Sequence, residues 1–173
     1  MLKLKNWPIL LIILLVILTA ILFWNKGKTN QIEQEEVHYH AGFQVYIDDK
    51  LQDFSDVKFM HIMPCGVEGH EEIEEDEQIE KAHLHDGVGD VVHVHRNGAT
   101  WEDLFTNINF PISEESMAYI NNQSVENFLS YPINSYDSVV IIQGEISDLN
   151  KKLESAVTRE HMIEIEGMSE TCG

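Results

Sequence analysis

The sequence predicts an α+β domain: a small mixed or antiparallel sheet with one crossing helix and a C-terminal helix, preceded by a transmembrane helix. Three observations carry this reading. An uncharged apolar run fills residues 7–24; short segments with a period of two recur between Val37 and Gln143, separated by turn residues; and one helical face interrupts them.

The apolar run, Trp7 to Trp24, is 18 residues without a charge, long enough to cross the hydrocarbon core of a lipid bilayer, with Trp at both ends for the interfaces. A cleaved signal peptide would have a shorter apolar region followed by small residues, whereas this run ends in Ile21, Leu22, Phe23 and Trp24. No cysteine follows at which a lipid could be attached. Residues 1–6 are then a short cytoplasmic tail, 7–24 an uncleaved anchor and 25–36 a polar tether. Residues 37–146 form a histidine-rich domain, and 147–173 a helix and tail. Lys3 and Lys5 balance Lys26 and Lys28, so only the terminal amine tips the count toward a cytoplasmic N-terminus and a domain outside the cytoplasm, at the cell membrane.

Apart from the four lysines that flank the anchor, seven Lys and Arg face 30 acids, a formal charge of −23. Nucleic acid is excluded as a partner on sign alone, and anionic lipid repels such a body. Cations, by contrast, are drawn to it. Two cysteines, Cys65 and Cys172, are too few for a disulfide framework but sufficient for one bridge in an oxidising compartment.

Within the domain, Val37 to Ile47 alternates as a half-buried strand, and Asp48, Asp49 and Lys50 turn it into a second strand over 51–57. Met60 to Gly66 is irregular, and Glu68 to Lys81 is a solvated acidic stretch. Ala82 to His85 and Asp90 to His95 form a hairpin around Asp86, Gly87, Val88 and Gly89. Thr100 and Asp103 make a capping box for a helix whose inward face is Trp101, Leu104, Phe105 and Ile108. Asn121-Asn122 joins two short strands, Ser138 to Gln143 is a buried strand, and a last helix spans 148–162, capped by Ser147, with Leu149, Leu153, Ala156 and Val157 inward.

The order hairpin, crossing helix, Asn-Asn turn and closing strand between His83 and Gly144 resembles half of a β-grasp, or ubiquitin-like, fold. The string AHLHDGVGDVVHVH, preceded by HYH and followed by TWEDLF, is similar to a set of uncharacterised membrane-anchored bacterial and archaeal proteins with histidine-paired strands. That resemblance implies a compact extracytoplasmic domain and carries over no catalytic role.

Eight of the nine histidines lie between His38 and His95, and six form the H-x-H pairs His38/His40, His83/His85 and His93/His95. A strand places both members of each pair on one face with Cα atoms ~7 Å apart, so each pair is a bidentate half-site for zinc or copper. Such a pair is also common on half-exposed strands without any ligand. The hairpin register decides the matter: pairing His85 with Val91 brings His83 opposite His93 and puts four imidazoles on one face, while a slip of one residue separates them. Asp86 either orients an imidazole through its second nitrogen or simply starts the turn. A second candidate cluster, Met60, His61, Met63, Cys65 and His70, offers sulfur with imidazole, against ordinary core methionines and a Cys65–Cys172 disulfide. His161 stands apart, as a surface residue.

No G-x-S-x-G, H-E-x-x-H, C-x-x-C or phosphate-binding glycine loop occurs, so no catalytic residue is assigned. The leading reading is a membrane-anchored module that binds zinc or copper for sequestration, delivery or sensing. Its ligands are His83, His85, His93 and His95, then His38 and His40. The alternatives are a metal-dependent extracytoplasmic enzyme and a metal-free interaction domain whose histidines charge below about pH 6.5. The protein partner and the pathway are not encoded in any motif.

Overall fold

The structure is a computed structural model that describes residues 36–61 and 77–168. The expected anchor, the tether through residue 35, most of the acidic stretch and the tail lie outside these residues, as do Met63, Cys65, His70 and Cys172. Among the described residues no helix is long and apolar enough to cross a membrane.

The described chain is α+β, built on a mixed six-stranded sheet. Strand β1 (Glu36–Ile47) turns through Asp48 and Asp49, with φ of 45° and 70°, into β2 (Lys50–Leu51). Two successive positive φ values match the twist of a two-residue hairpin, and Asp tolerates them. The second strand is shorter than the pattern over 51–57 predicts. Phe54 leaves the sheet edge to bury against Phe43, Phe59 and Phe110, and Val57–Phe59 then forms a 3-10 turn capped by Asp56. Helix α1 (Glu77–Lys81) leads into the Ala82–Leu84 segment and β3 (Val91–Arg96). Helix α2 (Trp101–Asn107) carries the predicted capping box: Thr100 Oγ1 accepts from Asp103 N–H, and Asp103 Oδ2 accepts from Thr100 N–H at 2.9 Å. Strands β4 (Met117–Ile120) and β5 (Gln123–Val125) flank Asn121 and Asn122, again both with positive φ, and β6 (Ser138–Gln143) closes the sheet.

The strand order is β2-β1-β6-β4-β5, with β1 and β6 parallel and the other pairs antiparallel. Strand β3 pairs with the first half of β1, residues 36–42, while β6 pairs with the second half, residues 42–47. Alternation gives β1 two faces. Ala41, Phe43 and Val45 point into the main core with Trp101, Leu104 and Phe105 of α2 and Val139 and Ile141 of β6. Tyr46, Val140 and Ile142 point the other way, under the C-terminal helices.

Those helices are two rather than one. Helix α3 (Leu149–Glu154) is capped by Asp148 rather than Ser147, whose hydroxyl donates to Asp49 instead. Helix α4 (Arg159–Glu166) restarts at Thr158, which caps it by accepting from His161 N–H. The break lets Val157 press onto β1 at Gly42, where a Cβ would lie 2.5 Å from Val157 Cβ. Met162 and Ile165 then cover Val91 beside it. Leu149, Leu153 and Ala156 do face inward, partly buried.

Gly42→Ala should therefore overpack this junction and cost roughly 1–3 kcal/mol. Urea unfolding of the two proteins measures it; an unchanged midpoint and slope would show that the helices do not pack on β1 in this way.

Candidate metal centre

The first half of β1, β3 and the Ala82–Leu84 segment lie side by side, with β3 in the middle. His40 is the register partner of His93, and His93 is in turn bridged to His83. The last pair exchanges both backbone bonds, His83 N–H to His93 O at 3.0 Å and His93 N–H to His83 O at 2.9 Å. Three histidines thus form one row across three strands. Strand alternation adds His38 and His95 on one side of the row and His85 on the other. The opposite face of β3, Val92 and Val94, is core.

His61 joins this array because its N–H bonds to Leu84 O at 2.7 Å, next to a parallel bridge between Met60 and Leu84. The rings form a connected set. Centroid separations are 3.5 Å for His85–His93, 4.0 Å for His40–His93, 4.9 Å for His38–His95 and His38–His40, 5.2 Å for His83–His95 and 5.3 Å for His61–His83. Seven of the histidines singled out in the sequence are therefore together, drawn from four separate stretches of chain. His70 and Cys65 of the second candidate cluster lie outside the described residues. His161 sits away from the array, half-exposed, with Nε2 3.3 Å from Asp90 Oδ1.

One group already has ligand-like spacing: one ring nitrogen each from His38, His93 and His95 lie within 4.8 Å of one another. His38 is exposed and His95 partly so, whereas His93 is buried, so this group runs from the surface inward. Two further rings are fixed by their far nitrogens. Asp86 Oδ2 lies 2.7 Å from His85 Nδ1 and, as a carboxylate, accepts its proton; the same residue occupies the turn at φ 56°, so both readings of Asp86 apply. His83 Nδ1 lies 3.1 Å from the Ile79 carbonyl, which only accepts, so Nδ1 carries the proton there. Each contact leaves Nε2 as the nitrogen with the lone pair, the arrangement that carboxylates and carbonyls impose on metal-binding histidines, and His85 Nε2 faces His93. Nothing in the sequence marked Ile79 for this role, because a backbone carbonyl has no residue signature.

Burial governs protonation here. His83 is held down to about 3, first by loss of solvent and then by repulsion from His95, His61 and His85, against an opposing bond to Ile79. His93 is depressed further, again first by burial and then by His85, His40, His83 and His38. Both stay neutral across ordinary pH, and a neutral imidazole is the form that binds a metal. Imidazole nitrogens suit zinc, copper and their neighbours rather than magnesium or calcium.

No protein-family model, curated protein or solved structure matches the chain.

The depressed groups also fix the sign of a pH effect. A histidine whose folded pKa lies below its unfolded value of ~6.5 contributes stability above that value and loses it as pH falls toward the folded pKa. Metal-free protein should thus lose roughly 2 kcal/mol for each of His83 and His93 between pH 7.5 and pH 5. Urea midpoints at the two pH values measure this, and a His83→Gln, His93→Gln variant should show a smaller loss. Equal midpoints in the parent chain would mean that these rings are not buried.

Proposed function

We propose that the chain is a membrane-tethered, extracytoplasmic module that binds zinc or copper through the histidine face of β1, β3 and the Ala82–His85 segment. Sequestration, delivery or sensing of the ion is its role. The observation that carries the reading is the close approach of His38, His93 and His95, three imidazoles from two strands with ring nitrogens within 4.8 Å. Zinc holds imidazole nitrogen at about 2.0–2.1 Å, so a shared ion needs only side-chain rotation from these positions. Strand β3 positions His93 and His95, since it pairs with β1 on one edge and is held at His93 by the reciprocal bonds to His83 on the other. The remaining rings fill further coordination positions or pass an ion inward.

The wider architecture is consistent with the β-grasp resemblance. Strand order β2-β1-β6-β4-β5, parallel β1 and β6, and α2 against one face support that reading. In this reading the β1–β2 hairpin, not the His83–His95 hairpin, is the first arm of the grasp. Strand β3 is then an added element that brings the histidines to β1. The anchor at 7–24 and the strongly acidic body support a domain held near a membrane while standing off its lipids.

Elemental analysis of tag-free, detergent-solubilised full-length protein tests the metal. At least one zinc or copper ion per chain is expected after exposure to the ion and desalting. His93→Ala should lower the content at least tenfold while a circular dichroism spectrum stays unchanged, and full retention would remove β3 from the site. The anchor has its own check. Deleting residues 1–28 should move the protein from the carbonate-washed membrane fraction to the soluble fraction, and unchanged membrane association would contradict an anchor at 7–24.

A further inference from the structure

His93 has neighbours at more than one point of its ring. His40 Nε2 lies 2.8 Å from His93 Nδ1, and His85 Nε2 lies 2.7 Å from that same nitrogen. An imidazole nitrogen carries either one in-plane proton or one in-plane lone pair, so it completes one good hydrogen bond. If His93 Nδ1 is protonated, its proton serves one of the two rings; if it is not, two donors compete for one lone pair. The Asp86 contact sharpens the conflict, because a neutral His85 with its proton on Nδ1 brings a lone pair, not a proton, to His93. Hydrogen bonding at His93 Nδ1 therefore accounts for one of the two contacts and not for both. A cation accounts for both, since each of the three offers it a lone pair.

We propose that the histidine face holds two transition-metal ions, the second bound by His40 Nε2, His85 Nε2 and His93 Nδ1 and sharing His93 with the ion at His38 and His95. This extends the metal-binding reading above and rests on it. His93 Nε2 serves the outer ion and Nδ1 the inner one. For both nitrogens to donate lone pairs, the ring gives up its remaining proton to solvent as the second ion binds, and two dications flanking the ring offset the charge it acquires. The inner position requires the nitrogens to open from 2.7–2.8 Å to about 3.3 Å, the spacing in a tetrahedral zinc site. His40 and His93 supply this position from the buried row, each 1% exposed, and Asp86 positions the partly exposed His85 by accepting from Nδ1. The inner site is thereby shielded and the outer one open to solvent, so ions enter by way of His38 and His95.

The test is metal stoichiometry of the full-length, detergent-solubilised chain, loaded separately with zinc and with copper(II). Two zinc ions per chain are expected. His85→Ala and His40→Ala should each retain one, His38→Ala with His95→Ala should also retain one, and His93→Ala should fall below one. With copper(II), a shared imidazole ring couples the two spins, so the resonance signal of the parent chain should be well below that of two isolated ions. His85→Ala should restore a one-copper signal, and this partly exposed residue is the variant least able to disturb folding. A parent chain that binds one zinc, kept by His85→Ala and His40→Ala but lost with His38 and His95, overturns the inner position and leaves the proposed function standing. No bound metal at all overturns both. Two zinc ions with uncoupled copper signals overturn the sharing of His93.

Discussion

The reciprocal backbone bonds between His83 and His93 set the parity of the strand arrangement on which the candidate site depends. Side chains alternate along a strand, so sliding Ala82–Leu84 by one residue would turn His83 and His85 to the face that now packs the core and bring Ala82 and Leu84 out of it. Two constraints hold the register. Leu84 and Ala82 are fully buried on one face, and His61 N–H bonds to Leu84 O from the flanking segment. The apolar side of this segment fixes the position of its polar side, and hydrophobic burial thereby helps to align the histidine-bearing strands.

The two faces of the sheet divide the labour. One is sealed by α2 and an aromatic cluster of Phe43, Phe54, Phe105 and Phe110, while the other is covered by α3 and α4 only as far as Val91 and Gly42. Beyond that edge the same face of β1 and β3 bears histidines instead of aliphatics. Desolvation, and after it repulsion from neighbouring histidines, keeps His83 and His93 neutral, which costs stability in acid. A structure that only needed a filled sheet face would be served better by Val or Leu at His40 and His93, both of which are buried.

Local chemistry was legible in the sequence and long-range pairing was not. The Thr100–Asp103 box, the Asp48-Asp49 and Asn121-Asn122 turns, the inward face of α2 and the strands at 37–47 and 138–143 each follow from residues within a few positions of one another. The short β2 was obscured because Phe54 answers to Phe43 and Phe110, far along the chain. The break between α3 and α4 depends on the contact of Val157 with Gly42, again non-local. For the site, H-x-H spacing exposed the half-sites but could not say which would meet. The sequence ranked the hairpin histidines first, whereas one group with ligand spacing takes His38 from β1 with His93 and His95, because β1 and β3 pair across more than fifty residues.

If the clustered rings are metal ligands, X-ray absorption at the zinc edge of the loaded full-length chain reads them directly. A first shell of nitrogen at about 2.0 Å, with the outer-shell scattering of at least three imidazoles, is expected. A shell dominated by oxygen or sulfur without imidazole scattering would contradict imidazole ligation.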